Sequence, residues 1–194
     1  MIEKIKELTK DTAIYGISTI IGRFLNFLLV PFYTNFFSPY EVGVYSNIYA
    51  YLAFLNIVFI YGMDAAYMKY ASVSTQGDGK KTFSTAVIFV TLTTILFSFL
   101  LWFVSTPFSG LMEIPSEYSY LYHYMIFILL LDTIAVVTFA SLRQKRKSIK
   151  FSLIKLGNII LNLSLNFLLV LKFEMGIEAI LIANLAASAL SLLL

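Results

Sequence analysis

Cysteine is absent from the 194-residue chain, and charged residues make up only 13% of it. The lack of cysteine excludes disulfides, thiolate metal sites and cysteine nucleophiles. Histidine is almost lacking too: His123 is the single one, and it lies among tyrosines where an aromatic belt at the membrane interface is expected. We therefore expect neither a metal site nor a cofactor. Soluble domains carry about 25% charged residues, so the shortage of charge excludes an ordinary soluble fold.

Apolar residues are correspondingly abundant: they make up 59% of the chain, and the mean hydropathy is +0.84. This composition predicts an all-α polytopic membrane protein. A hydrocarbon core of about 30 Å needs about 20 apolar residues of helix, and six segments meet that length. The predicted spans are residues 12–37, 44–68, 82–106, 118–141, 151–172 and 176–194.

Two regions are expected along the chain. Residues 1–11 place Ile2, Ile5 and Leu8 three apart between charges, which predicts a short amphipathic lead-in on the cytoplasmic membrane surface. Residues 12–194 form the six-helix transmembrane lobe, and we expect the sixth helix to be truncated where the sequence stops.

The basic residues predict the orientation of the spans. Of the 14 lysines and arginines, all except Lys172 and Arg23 fall on one side if the spans alternate. The positive-inside rule then places the N-terminus in the cytoplasm. Because the basic residues lie in short stretches between spans, and not on a soluble face, nucleic-acid binding is excluded. The patch from Arg143 to Lys150 favours contact with anionic membrane lipids, with a ligand contact as the alternative.

Three polar residues are predicted near the middle of the membrane: Arg23, Asp132 and Asn162. An arginine at the bilayer centre costs about 2.5–3.5 kcal/mol and keeps its proton, so it is expected to face a polar cavity. Helical spacing groups Thr19, Arg23 and Asn26 on the inward face of the first span. Two readings stay open for Arg23, a cavity residue or an ion pair with Asp132.

Asparagines repeat every four residues along the fifth span, at Asn158, Asn162 and Asn166. All three can therefore line one seam. They are interpreted either as hydrogen-bonded contacts between helices or as the lining of a cavity. Asp132 has no polar neighbour on its own helical stripe, so it needs a partner from another helix, a proton or a cation.

Several stretches of the chain resemble one family of exporters. They are Tyr15-Gly16, Gly22-Arg23-Phe24-Leu25-Asn26-Phe27, Pro31-Phe32-Tyr33-Thr34, Phe37-Ser38-Pro39-Tyr40-Glu41-Val42-Gly43-Val44-Tyr45, Tyr61-Gly62-Met63-Asp64, and the segments around Asp132, Leu142-Arg143 and Lys155 to Asn166. The chain resembles the polysaccharide-transport branch of the multidrug/oligosaccharidyl-lipid/polysaccharide exporter superfamily, especially O-antigen-type flippases. Members usually carry twelve to fourteen spans, so the resemblance covers the N-terminal lobe, and we expect the chain to be an incomplete N-terminal half.

The resemblance implies two six-helix lobes around a central cavity in the bacterial inner membrane. By alternating access they flip a lipid-linked oligosaccharide, an undecaprenyl pyrophosphate sugar, for cell-surface polysaccharide such as lipopolysaccharide. Arg23 would bind the anionic cargo, and Asp132 would couple transport to a proton or sodium. The cavity is expected to be lined by Arg23, Asn26, Thr19, Asn158, Asn162 and Asn166.

Two other functions are kept as alternatives: a multidrug or cation antiporter of the same superfamily, and a noncatalytic membrane scaffold. An antiporter would favour an anionic, aromatic cavity, which Arg23 argues against. A scaffold would tolerate leucine in place of Arg23. An enzyme is not expected, because the loops are short and carry few carboxylates for acid–base chemistry.

Overall fold

The computed structural model describes residues 2–73 and 78–194, and this part of the chain consists of helices joined by short turns and loops, without a strand. The elements, in chain order, are α1 Ile2–Phe36, α2 Pro39–Ile60, α3 Met63–Val73, α4 Asp78–Phe103, α5 Ser105–Leu111, a 3-10 turn Ser116–Tyr118, α6 Leu121–Gln144, α7 Ser148–Leu171 and α8 Glu178–Leu193.

Five helical segments in the described residues are long and apolar enough to cross a membrane, and α8 is a shorter apolar helix. The prediction of an all-α polytopic membrane protein is thus confirmed. The five segments are Thr12–Phe36, Pro39–Val73, Asp78–Phe103, Leu121–Gln144 and Ser148–Leu171. With 16 residues, α8 is about 24 Å long, less than a hydrocarbon core of about 30 Å.

The predicted lead-in, residues 1–11, shows no helix boundary at its end. The backbone from Ile2 onward continues directly into the first span as part of α1. Residue 1 and most side chains of this segment lie outside the described part of the chain, so its amphipathic contact with the membrane surface stays a prediction.

The second span begins earlier than its hydropathy predicts, at Pro39 and not at residue 44. The reason is a capping box at Ser38. The Ser38 hydroxyl accepts a hydrogen bond from the Glu41 amide at 3.3 Å, and Glu41 Oε2 accepts one from the Ser38 amide at 2.8 Å. Pro39 occupies the first helical position, where its missing N–H costs nothing.

The second span is also broken, at Tyr61 and Gly62. Both residues have left-handed backbone angles, with φ of 35° for Tyr61 and 75° for Gly62. Glycine adopts this region without strain, so Gly62 allows α2 to end and α3 to begin inside the span. As a result Asp64 lies in the first turn of a new helix, α3, instead of the middle of a continuous one.

The centre of the bundle is α6, which packs against α2, α3, α4, α7 and α8. In its apolar window 50% of the residues are buried, against 17% to 22% in the other four spans. By contrast, α1 packs almost entirely against α7. The bundle is therefore a core built on α6 with α1 attached to one side.

The two ends of the bundle differ in composition. At the basic end, α3, α4, α6 and α7 meet, and the Gln144 amide donates to the Ala71 carbonyl oxygen at 3.3 Å. At the aromatic end, which includes α5 and the 3-10 turn, Trp102 stacks on His123 at 4.5 Å and Tyr120 donates to Glu178 Oε2 at 3.1 Å. Burial first, and then the Glu178 carboxylate, raise the pKa of Tyr120 to about 12.

Candidate functional site

A cavity of about 400 Å³, the central cavity, lies between five helices. It follows α6 from Asp132 to Arg143, about 16 Å at 1.5 Å per residue, and so extends toward the basic end. Its lining residues are Asn56 and Ile60 on α2, Asp64 on α3, Asp132, Ala135, Val136, Phe139 and Arg143 on α6, Phe151, Lys155 and Asn158 on α7, and Asn184, Ser188 and Ser191 on α8.

Four of the lining residues are charged, two of each sign, but only two of them form an ion pair. Arg143 Nη2 lies 3.5 Å from Asp64 Oδ2, and both side chains are more than a third exposed. Asp132 and Lys155 line the same cavity, but they do not come within the 4.0 Å of an ion pair. Lys155 Nζ instead lies 4.3 Å from the centre of the Phe139 ring. Deep in the cavity, therefore, opposite charges are kept apart.

The fold explains where these charges lie. Asp132 is near the middle of α6, the helix with the most buried surface, and Lys155 is about two turns into α7. Asp64 reaches the cavity because the break at Tyr61 and Gly62 starts α3 beside it. Three helices thus bring charged groups to one space inside the bundle.

Arg23 lines a second, smaller space of about 270 Å³, the side cavity, between α1 and α7. Thr19 and Asn26 line it too, as their helical spacing predicts. The Ile159 side chain packs over Gly22, where a Cβ would come within 2.8 Å of Ile159 Cδ1. Phe151, Lys155 and Asn158 line both cavities, which are therefore neighbours.

The alternative of an ion pair between Arg23 and Asp132 is not found. Arg23 is exposed and forms no hydrogen bond or ion pair with any residue that the structure describes. The physical reason is that α1 is attached to α7, while Asp132 belongs to α6. Lys155 of α7, and not Arg23, lines the central cavity together with Asp132.

The three asparagines of α7 divide between the two proposed roles. Asn166 is completely buried, accepts a hydrogen bond from the Tyr33 hydroxyl at 2.8 Å and donates to the Asn162 side chain at 3.0 Å. Asn162 and Asn166 line neither cavity; Asn166 connects α7 to α1 through Tyr33, and Asn162 contacts Asn166 on the same helix. Asn158 does both: its amide donates to the Ala187 carbonyl and the Ser191 hydroxyl, and it lines both cavities.

The sequence did not single out several residues of the central cavity. Lys155 counted among the basic residues of the cytoplasmic side, yet it lines the cavity. Asn184, Ser188 and Ser191 on α8 were not considered, although their spacing of four and three residues puts them on one helical face. Asn184 donates to the Tyr49 hydroxyl at 2.8 Å.

The cavities offer hydrogen-bonding groups and separated charges, which suit the binding of a polar, charged molecule. Among the described residues no cluster of histidine and carboxylate side chains could hold a metal ion.

A family model described as polysaccharide biosynthesis protein matches residues 8–194. The chain belongs to this family. No curated protein and no solved structure shows significant similarity to it.

Membership of the polysaccharide biosynthesis family agrees with the resemblance found in the sequence, which covered nearly the whole chain. It makes the chain a multi-pass membrane protein of polysaccharide biosynthesis. This family is associated with transport and not with catalysis, so the two cavities are its candidate transport site.

Proposed function

We propose that the chain helps to flip a lipid-linked oligosaccharide across the bacterial inner membrane, from the cytoplasmic to the outer leaflet. The main support for this proposal is that Lys155 and Asn158 line both cavities. Through these residues, the cation on α1 and the charged groups on α6 and α7 belong to one polar region within the spans.

We assign the binding of the anionic part of the cargo to Arg23 and Lys155. An undecaprenyl pyrophosphate linkage carries negative charge, and a guanidinium can offer it two parallel hydrogen bonds. Neither cation forms an ion pair with a described residue, so their charges are available to a ligand. Counted together, the two cavities hold three cations and two carboxylates, which favours an anion over the organic cations of a multidrug antiporter.

We assign hydrogen bonding to the sugar hydroxyl groups to the amide and hydroxyl side chains that line the cavities. Asn26 lines the side cavity, Asn184 and Ser188 line the central one, and Asn158 lines both. Hydrogen bonds of this kind give orientation and selectivity without much net affinity, because water competes for the same groups. Asn162 and Asn166 are left out of the proposed site, because neither lines a cavity and Asn166 already joins α7 to α1 through Tyr33.

Asp132 is proposed to couple transport to a proton or sodium ion. A carboxylate that shares a cavity with Lys155, without a close ion pair, can gain or lose a cation at low cost to the fold. When Asp132 binds a cation, Lys155 is freed to bind the anionic cargo. When Asp132 releases it, the carboxylate competes with the cargo for Lys155.

The test replaces Lys155 with methionine in the full-length protein, expressed in cells that lack the chromosomal copy. We expect surface polysaccharide to fall about 10- to 100-fold, the loss of a charge-assisted contact worth about 1.5–3 kcal/mol, while lipid-linked intermediates accumulate inside. Lys172→Met is the matched control, because this lysine lies at the aromatic end, and it should keep normal export.

Normal export by a folded Lys155→Met variant would contradict the proposal. Selective loss of organic-cation efflux, with polysaccharide unchanged, would favour the antiporter. Export that survives the loss of Lys155, Arg23 and Asp132 together would favour a scaffold.

A further inference from the structure

A third cavity, of about 630 Å³, lies at the basic end between α3, α4 and α6. It is separate from the two cavities of the proposed transport site and shares no lining residue with them. We call it the α3–α4–α6 cavity. Its size is in the range of about 300–1,000 Å³ that small-molecule sites occupy.

The charges around this cavity are unbalanced. Lys80 and Lys145 line it, and no carboxylate does so among the described residues. Neither lysine forms an ion pair with a described residue. This contrasts with the central cavity, where two carboxylates match two cations. Two unmatched ammonium groups around one space are suited to an anion.

Other side chains of the lining contact Lys145 and provide hydrogen-bonding groups. Lys145 Nζ lies 5.7 Å from the centre of the Phe83 ring, a distance at which the ring face attracts the cation. Ser84, Tyr67 and the Gln144 amide are further polar groups in the lining. The cavity therefore combines two cations, several polar groups and an aromatic wall.

The depth of the cavity points to a membrane lipid. With 26 residues, α4 is about 39 Å long, so its ends extend beyond a hydrocarbon core of about 30 Å. Lys80 is in the first turn of α4, and Lys145 directly follows the last residue of α6. Both lysines thus belong to the helix ends that extend past the hydrocarbon core, which is the level at which lipid phosphates lie.

We propose that the α3–α4–α6 cavity binds the phosphate-bearing headgroup of an anionic membrane lipid. The two lysines pair with the phosphate, and the polar groups hydrogen-bond to the remainder of the headgroup. Binding at this position holds the broken second span, through α3, against the ends of α4 and α6.

The test measures the affinity of the purified full chain for phosphatidylglycerol in mixed detergent micelles, with phosphatidylcholine as the neutral lipid. Replacing both Lys80 and Lys145 with glutamine should weaken phosphatidylglycerol binding at least tenfold, because the phosphate then loses both of its charge-assisted contacts in the cavity. Lys69→Gln with Lys81→Gln removes the same charge from positions on α3 and α4 that do not line the cavity, and should change the affinity less than threefold.

Two further variants separate the cavity from general surface charge. Ser84→Trp fills the space without changing charge, and it should weaken phosphatidylglycerol binding as much as the lysine pair does. Lys80→Arg with Lys145→Arg keeps both cations and should retain binding, which guards against a folding defect in the glutamine variant.

Three results would overturn the proposal: equal loss of binding in the control pair, unchanged binding in Ser84→Trp, or equal affinity for phosphatidylcholine. Inorganic phosphate at millimolar concentration should not displace phosphatidylglycerol. If it displaces the lipid fully, the site recognises free phosphate and the assignment to a lipid is wrong.

Discussion

Two groups of polar side chains in this protein differ in their contacts. In the first group, at the aromatic end and beside Asn166, the side chains are paired: Asn47 donates to the Met112 carbonyl, Tyr122 to the Leu101 carbonyl at 3.1 Å, and Tyr33 to Asn166. In the second group, Arg23, Asp132 and Lys155 line the two cavities of the proposed transport site without an ion pair.

Polar groups that hold a membrane protein together are expected to differ in this way from polar groups that bind a ligand. A paired polar group has already recovered the cost of leaving water, so it connects helices. A charged group that faces a cavity keeps its capacity to bind something else. The predictions that follow test whether the two groups separate in this way.

The largest effect is expected at Arg23, in the unpaired group. Arg23→Leu should lower export of anionic cargo about 10- to 100-fold, because a charge-assisted contact of about 1.5–3 kcal/mol is lost. Thermal stability should stay equal or rise, since no described residue depends on the guanidinium. Surface polysaccharide and the melting temperature of the purified protein measure the two effects. Full export by Arg23→Leu would remove Arg23 from the site, whereas partial rescue by Arg23→Lys would support it.

An intermediate effect is expected at Tyr33, in the paired group. Tyr33→Phe leaves the buried Asn166 oxygen without its donor, at a cost of about 1–3 kcal/mol of stability. Unfolding in denaturant should therefore shift, while export per folded molecule stays unchanged. The double variant Tyr33→Phe with Asn166→Leu should recover part of the loss. A variant that keeps its stability but loses export would place this pair in the transport site instead.

The smallest effect is expected at the Asp64–Arg143 ion pair, which belongs to neither group completely. Its side chains are 36% and 40% exposed, so solvent screens the attraction. Arg143→Gln should change the free energy of unfolding by less than about 1 kcal/mol. A larger loss of stability would show that this ion pair holds α3 to α6.

The sequence predicted the spans well, because their length and hydropathy are local properties. Hydropathy alone missed the capping box that starts α2 at Pro39 and the left-handed residues that end it at Tyr61. Both are effects of a few residues within an apolar segment. They decide how Asp64 reaches the central cavity.

The candidate site was predicted only in part, because single-helix periodicity shows which face is polar but not which helix lies opposite. Arg23, Thr19 and Asn26 line one cavity, on the face of α1 that their helical spacing groups together. The position of Lys155 in the cavity of Asp132 was not predicted, because Lys155 lies only about two turns from the start of α7 and was counted with the basic residues of the cytoplasmic side. The contacts of the asparagines likewise depend on neighbouring helices, which no spacing shows.

The central claim, that charged groups within the spans face water, can be tested directly because the chain contains no cysteine. Val136 lines the central cavity on α6, and Ile160 is 59% exposed on α7 but lines neither transport cavity. A thiol reacts with a membrane-impermeant reagent only where water allows it to ionise. If the cavity is open to water, Val136→Cys is labelled in open membranes and Ile160→Cys is not. Labelling of Ile160→Cys with protection of Val136→Cys would show that the face lined by Val136 is closed to water.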